Sequence, residues 1–255
     1  MRSSLITIII CCLIPSIPIS ARSTEQHSEQ KETPTQQRKP QATKKENEPQ
    51  TLDFSGTGRP GQQTAGESRS GCTEAAQPIR AMLPKSNSGK TVLGHPKFWV
   101  YFPELDTETT EVEFIIQDES RQDVWRSRSP LNSASSYQSF GLPMTETPLE
   151  VGQWYRWYVK VYCGERIAST QYVQGWVNRV SLTAKLQQEL QEESQAHLVY
   201  GNHRIWYEAV DQLLNSYHSN PENIALEQDW QNMIRAKGVN LHYLPSIGGN
   251  QISQY

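Results

Sequence analysis

The sequence predicts a mainly β fold with α content, an immunoglobulin-like antiparallel β-sandwich followed by about three C-terminal helices packed on it. Three observations lead to this class. In residues 72–181, apolar residues recur at every second position, which is typical of strands. In residues 182–255 the apolar spacing changes to three and four, which is typical of helices. Residues 22–71, in contrast, contain too few apolar side chains to form a core.

The first 21 residues have the parts of a secretory signal peptide. Arg2 precedes an apolar run that continues to about Ile14, and the small residue Ala21 ends the segment. The run is shorter than the roughly 20 residues that span a bilayer. A buried core helix and a lipoprotein signal are the alternatives. We therefore expect an exported protein of the periplasm, cell surface or extracellular space, with no transmembrane segment after cleavage.

Residues 22–71 form a stretch rich in Gln, Glu, Lys, Pro and Gly. Such a composition cannot bury enough apolar surface to offset the entropy lost on ordering, so we predict a disordered tether. Basic residues around Lys44 are followed at once by Glu46 and Glu48, which favours a solvated linker over a binding patch.

The longest alternating run, Trp154 to Cys163, is predicted to be a central strand of the sandwich. Leu149, the turn residue Gly152 and then Tyr155 resemble the tyrosine corner of immunoglobulin-like domains. The face that begins at Tyr155 is expected to point inward. The opposite face is too aromatic for open solvent and too charged for a core, so we expect the C-terminal helices to cover it in part. It carries Trp154, Arg156, Tyr158, Lys160 and Tyr162.

Two cysteines, Cys72 and Cys163, remain once the signal peptide is removed. An even number of cysteines in an exported chain predicts one disulfide between them. Two free thiols are the alternative.

The C-terminal part, residues 182–255, is predicted to be helical and to belong to the same domain. Leu182, Leu186 and Leu190 are spaced by four residues, and a longer apolar stripe follows. That stripe consists of Ile205, Trp206, Ala209, Val210, Leu213 and Tyr217. A last helix is expected between Asn220 and Gly238.

Motifs of known chemistry are missing from the sequence. It contains no Cys-x-x-Cys, no His-Glu-x-x-His and no Gly-x-Ser-x-Gly, and its six histidines form no pair spaced by four residues. We assign no catalytic, cofactor-binding or metal-binding residue. The formal net charge of −3 argues against a nucleic-acid partner.

Aromatic side chains are the best functional lead. Exposed rings on a sandwich could stack sugar rings, and Trp154, Tyr158 and Tyr162, with Arg156, form the possible ligand face. Trp99, Tyr101 and Trp125 are further candidates. The alternative is that these rings fill the core and the seam under the helices.

An ordered series of motifs suggests a family. The series includes Gly58-Arg59-Pro60, Pro96 to Pro103, Glu113 to Glu119, Pro148 to Tyr158, Gly175 to Val180 and Ile205 to Ala209. Together these motifs resemble a family of exported cyanobacterial proteins catalogued as domain of unknown function 928, over about Gly56 to Leu244. The resemblance supports the location and the domain limits, and it implies no reaction. Glu208 stands where an Asp is usual in the pattern.

These observations favour a non-enzymatic interaction module of the periplasm or cell surface. The expected partner is an envelope protein or a polysaccharide. A carbohydrate-binding module that uses the aromatic face is the alternative, followed by an envelope hydrolase with scattered acids.

Overall fold

A computed structural model describes residues 51–56, 58–59, 78–103, 110–131, 136–163, 171–248 and 251–254, with the backbone alone for Thr110, Cys163 and 251–254. The predicted signal peptide, most of the predicted tether and Cys72 lie outside the described residues. Because the Cys163 side chain also lies outside them, the disulfide stays a prediction.

A first sheet contains four strands, in the order β1 (Arg80–Ala81), β3 (Lys97–Phe102), β6 (Ser136–Gly141) and β9 (Gln251–Gln254). β3 pairs antiparallel with β1 and with β6. β9 pairs with β6 in parallel at the edge of the sheet.

A second sheet contains five strands, in the order β2 (Ser88–Thr91), β8 (Gln171–Arg179), β7 (Trp154–Cys163), β4 (Thr110–Gln117) and β5 (Asp123–Pro130). β7 pairs antiparallel with β8 and β4, and β4 pairs antiparallel with β5. β2 pairs with β8 in parallel. The prediction of an antiparallel sandwich is therefore wrong for β2 and β9, two edge strands that each pair in parallel with a strand far away in the sequence.

The two sheets meet through aromatic rings on their inner faces. Phe98 of β3 lies 5.4 Å from Phe114 of β4 and 5.3 Å from Trp157 of β7, between ring centroids. Phe140 of β6 lies 5.7 Å from Phe114. All four side chains are buried, as the alternation of apolar residues predicts for a shared core.

In the described residues four helices follow β8, where the sequence predicts about three: α1 (Ala184–Glu192), α2 (Ala196–Asn202), α3 (Trp206–Ser219) and α4 (Ile224–Ile234). The additional helix, α2, has only seven residues, too few for the apolar spacing to reveal it. Within the part of the chain that the structure describes, no helix is both long enough and apolar enough to cross a membrane.

The first turn of α3 anchors the helices to the second sheet and to the chain just after β1. The Trp206 indole N–H donates to the Met82 carbonyl at 2.8 Å. The Tyr207 hydroxyl donates to the Trp176 carbonyl at 2.9 Å and accepts from the Trp157 indole N–H at 2.8 Å. Gly89 of β2 permits this approach, because a Cβ atom there would lie 2.9 Å from the Tyr207 ring.

From that anchor, α3 and α4 lie over the outer face of the four-stranded sheet. The Trp99 indole N–H donates to Asp211 of α3 at 2.9 Å. The Tyr137 ring lies 5.3 Å from Trp230 of α4, with an interplanar angle of 78°. The prediction that the helices cover the face of Trp154 is therefore wrong. The outer face of β3 and β6 is itself rich in aromatic residues, and the helices pack on that face instead.

Residues 51–56 also pack on the domain, although the sequence places them in the tether. The Phe54 ring lies edge-on to Trp206 at 4.7 Å, and the Phe54 amide donates to the Lys237 carbonyl at 2.8 Å. Asp53 accepts from the Lys237 ammonium at 3.1 Å. Because Leu52 and Phe54 are buried, the predicted domain boundary at residue 72 is too late.

Glu208 is a buried carboxylic acid at the seam between α3 and β2. It is 3% exposed, and Thr91 donates a hydrogen bond to Oε1. Oε2 has no hydrogen-bond partner among the described residues. Burial raises the pKa of Glu208 to about 7, against the opposing effect of the Thr91 hydrogen bond. Below that pH the protonated acid fits the site.

This burial predicts a specific pH dependence of stability. Since the folded state holds the Glu208 proton up to about pH 7 and the unfolded state releases it near pH 4.5, the free energy of unfolding should fall as the pH rises between these values. Replacing Glu208 by Gln should remove that fall and stabilise the protein at pH 8 by about 3 kcal/mol. Urea unfolding of both proteins at a series of pH values measures the free energy of unfolding and its pH dependence.

Exposed Glu222 supplies the matched control. Glu222→Gln should retain the pH dependence of the wild type. An unchanged slope in Glu208→Gln would contradict the assignment of this pH dependence to Glu208.

Candidate functional site

The alternation along β7 places the predicted ligand residues on the outer face of the five-stranded sheet. Tyr155, Trp157 and Val159 are buried in the core, so the residues between them point outward. Those outward residues are Trp154, Arg156, Tyr158, Lys160 and Tyr162. With Arg59, Trp176 of β8 and Arg128 of β5 they form the cation–aromatic face. The structure thus brings together all four residues of the predicted ligand face.

Arg59 covers one end of this face. Its guanidinium lies 4.0 Å from the centre of the Trp154 ring and 4.9 Å from that of Trp176. The Arg59 amide donates to the Ser86 carbonyl at 2.8 Å, and its guanidinium pairs with Glu119 at 3.2 Å. Arg59 therefore belongs to the domain rather than to a tether.

Arg156 lies in the middle of the face between two rings. Its guanidinium is 4.9 Å from the Tyr158 ring and 5.6 Å from the Trp176 ring. It donates a hydrogen bond to the amide oxygen of Gln174, and its Nε is buried without a partner. Among the described residues no carboxylate lies within 4.0 Å of this guanidinium. Arg156 therefore presents a guanidinium charge that no carboxylate of the described residues neutralises.

At the other end of the face the charges are paired. Glu113 of β4 accepts from Arg126 at 2.8 Å and from the Tyr162 hydroxyl at 2.9 Å, and it pairs with Lys160 at 3.7 Å. Burial acts to raise the pKa of Glu113, but the hydrogen bonds from Arg126 and Tyr162 outweigh it and hold that pKa below its usual value. Arg128 lies 4.1 Å from the centre of the Tyr162 ring.

The arrangement leaves one unneutralised guanidinium in a half-buried aromatic surrounding. Such a surrounding is less polar than water, so it strengthens the attraction between the guanidinium and an incoming carboxylate. Because cations already lie over Trp154, Tyr158 and Tyr162, the face is better suited to an acidic group than to a neutral sugar ring.

The other aromatic candidates lie elsewhere. Trp99 and Tyr101 are buried on the opposite sheet, 2% and 6% exposed, and Trp125 points to the inner side of β5. Among the described residues no cluster of three or more His, Cys, Asp or Glu could hold a metal ion.

Sequence reasoning missed Arg59 and Trp176 as members of the face. Trp176 could have been found, because Tyr172, Gln174 and Trp176 alternate with buried Val173 and Val177 on β8. For Arg59 the sequence offers no such periodicity, because Gly, Pro and polar residues surround it; it only belongs to the Gly58-Arg59-Pro60 motif of the family resemblance.

Comparison with known proteins identifies a family. A family model described as Domain of Unknown Function (DUF928) matches residues 64–246, more than half of the chain. No curated protein matches. A solved structure described as "putative beta-galactosidase from bacteroides fragilis" is similar over 33% of this chain and 13% of its own length, at 11% identity and a TM-score of 0.26. A likeness of that extent carries no argument about fold or function.

The hydrogen bonds and ion pairs of Glu113 predict that removing its charge destabilises the protein more than removing the charge of an exposed acid on the same strand. Glu113→Gln should lower the free energy of unfolding at pH 7 by about 1 kcal/mol, because Arg126, Lys160 and Tyr162 lose a charged partner. The contribution is present above the unfolded-state pKa of 4.5 and is lost as the pH falls through the lower folded-state pKa. Chemical denaturation at pH 7 and pH 3 measures both effects.

Glu111→Gln is the matched control on the same strand. Glu111 pairs with Arg128 at 2.7 Å, but its side chain is 46% exposed, compared with 12% for Glu113. An exposed pair contributes little, so the control should change stability by less than about 0.5 kcal/mol. Equal losses of unfolding free energy in the two variants would show that the network around Glu113 stabilises the protein no more than an exposed ion pair does.

Proposed function

This chain belongs to the DUF928 family of domains of unknown function, and we propose that it is a non-enzymatic interaction module. In this proposal the module acts outside the cytoplasm and binds an acidic partner of the envelope through the cation–aromatic face. The observation that carries the proposal is Arg156, a guanidinium between the Tyr158 and Trp176 rings with no carboxylate partner among the described residues.

Two features support the surface as a contact site. Four cations lie within 6.0 Å of aromatic ring centres on one sheet face: Arg59, Arg128, Arg156 and Lys160. Arg and aromatic residues are the types enriched where binding energy is concentrated in interfaces. The signal-peptide pattern of residues 1–21 supports a location outside the cytoplasm.

We also propose that the two sheets form an immunoglobulin-like sandwich. The Tyr155 hydroxyl accepts a hydrogen bond from the Glu150 amide at 3.0 Å, as a tyrosine corner requires. A Cys72–Cys163 disulfide belongs to the same proposal, since export allows it to form.

Carbohydrate binding is the second candidate. The half-buried rings of Trp154 and Tyr158 favour it, but each already has a cation over its face.

A hydrolase is less well supported. Glu208, the carboxylic acid whose pKa burial raises to about 7, is 3% exposed and bonded to Thr91, so it does not contact solvent-borne substrate.

Replacing Arg156 tests the proposed function. Arg156→Gln should weaken binding to isolated envelope material about tenfold, because the unpaired guanidinium makes the charge-assisted contact. Wild-type binding should also weaken as the salt concentration rises. Sedimentation of the purified protein with envelope material measures the affinity, and a glycan array with acidic and neutral glycans identifies the class of ligand.

Arg235→Gln is the matched control, because Arg235 is an exposed arginine just after α4 that bonds Gln231. It should bind within about twofold of the wild type. If Arg156→Gln, with an unchanged melting temperature, bound as tightly as Arg235→Gln, the face would not be the contact site. Retention on neutral glycans alone would favour the carbohydrate-binding alternative.

A further inference from the structure

Arg59 reaches the cation–aromatic face from a segment that its own backbone holds in place. The Arg59 amide donates to the Ser86 carbonyl at 2.8 Å, and Gly58 lies so close to that carbonyl that an added Cβ atom would be 3.3 Å from its oxygen. Earlier in the same segment, Leu52 and Phe54 are buried in the core. The position of Arg59 therefore does not depend on which acid its guanidinium contacts.

Arg59 and Arg156 lie beside the same indole. Their guanidinium carbons are 4.9 Å and 5.6 Å from the centre of the Trp176 ring. The two groups are therefore at most 10.5 Å apart, the sum of these distances. Two guanidinium groups at that separation can bind two carboxylates of one ligand, each in the bidentate geometry that arginine favours.

The two guanidinium groups differ in their acidic partners. Arg156 has none among the described residues, whereas Arg59 pairs with Glu119 at 3.2 Å. That pair is exposed, with 51% of the Glu119 side chain and 30% of the Arg59 side chain accessible to solvent. Because water screens an exposed pair and its long side chains lose freedom on pairing, an incoming carboxylate can replace Glu119 at little cost.

The turn that carries Glu119 does not need this side chain. Glu119 lies in the connection between β4 and β5, where the Asp118 amide donates to the Gln122 carbonyl at 3.0 Å. The Gln122 amide donates to the Asp118 carboxylate at 2.9 Å in return. Since neither hydrogen bond involves Glu119, its carboxylate can leave Arg59 without disturbing the turn.

We propose that Arg59 and Arg156 together bind an extended acidic peptide segment of a partner protein, and that Glu119 is an internal competitor for Arg59. This inference rests on the proposed function and names the class of partner for the same face. One carboxylate of the peptide binds Arg156, and a second carboxylate replaces Glu119 at Arg59.

The spacing of the two cations favours a peptide in extended conformation. Side chains two residues apart in a strand lie on the same side, about 6.8 Å apart along the backbone. This spacing is within the 10.5 Å limit, whereas same-side positions four residues apart, at about 13.6 Å, exceed it. Arg59 lies over Trp154, the neighbour of Arg156 on the outer face of β7, so the two charges follow the direction of that strand.

Two labelled and end-capped peptides of twelve residues, each with six Glu and six Ser, are the probes. In one peptide Glu and Ser alternate. In the other they follow each other in pairs, so Glu residues on the same side are four positions apart. The full chain should bind the alternating peptide about fivefold more tightly, as measured by fluorescence anisotropy. Equal affinities would overturn the proposal, and so would tighter binding of polygalacturonate, which would assign the face to an acidic polysaccharide.

The role of Glu119 is tested with Glu119→Gln. This variant should bind the alternating peptide about threefold more tightly, because no internal acid has to be displaced. A gain of affinity cannot result from a loss of folding. Glu222→Gln, which removes the same charge from an exposed site between α3 and α4, is the control and should bind within about 1.5-fold of the wild type. An affinity of Glu119→Gln equal to that of the control would overturn the proposal.

The role of Arg59 is tested with Arg59→Gln, which should bind the alternating peptide about fivefold more weakly and no longer distinguish the two peptides. In this background Glu119→Gln should have no more effect than Glu222→Gln, because no guanidinium is left to compete for. If Arg156→Gln lost affinity while Arg59→Gln and Glu119→Gln bound as the wild type does, this inference would fail and the proposed function would stand. If Arg156→Gln also bound as the wild type does, both would fail.

Discussion

The first turn of α3 carries the polar atoms of two aromatic side chains into the core, where each must find a partner because an unsatisfied buried donor costs about 1–3 kcal/mol. Trp206 finds the Met82 carbonyl, and Tyr207 bonds both the Trp176 carbonyl and the Trp157 indole. These bonds join α3 to the second sheet and to the chain just after β1. Phe54 packs against Trp206, so the segment before the sandwich depends on the same turn.

That anchor determines which sheet the helices cover. α3 and α4 lie over β3 and β6, so no helix covers the aromatic rings on the outer face of β7. These rings are shielded from water in another way. Guanidinium and ammonium groups lie over them while their charged ends reach water. Glu113 neutralises one end of the face, and no equivalent acid stands beside Arg156 among the described residues. One end of the face is thus neutralised and the middle is not, because the acids of β4 lie beside Arg126, Lys160 and Arg128 rather than beside Arg156.

The alternation along β7 and the apolar stripe of α3 were readable in the sequence, because each depends on one periodic element. The four residues of the predicted ligand face follow directly from the period of two. The parallel pairing of β2 and the place of α3 were not readable, since β2 pairs with the distant strand β8 and α3 is held by carbonyls far away in the sequence. Residues 51–56 were misjudged because their average composition is polar, although Leu52 and Phe54 are buried.

β5 separates the cation–aromatic face from the interior through the same period of two. Arg126 and Arg128 point to the cation–aromatic face, whereas Trp125 and Ser127 point to the inner side of β5, toward the other sheet. As an edge strand, β5 would invite pairing with another chain, but its exposed arginines oppose this and Pro130 lacks an amide donor. A partner at the cation–aromatic face must therefore be recognised through side chains rather than by addition of a strand. This requirement makes Arg156, which has no carboxylate partner among the described residues, the feature most able to distinguish one ligand from another.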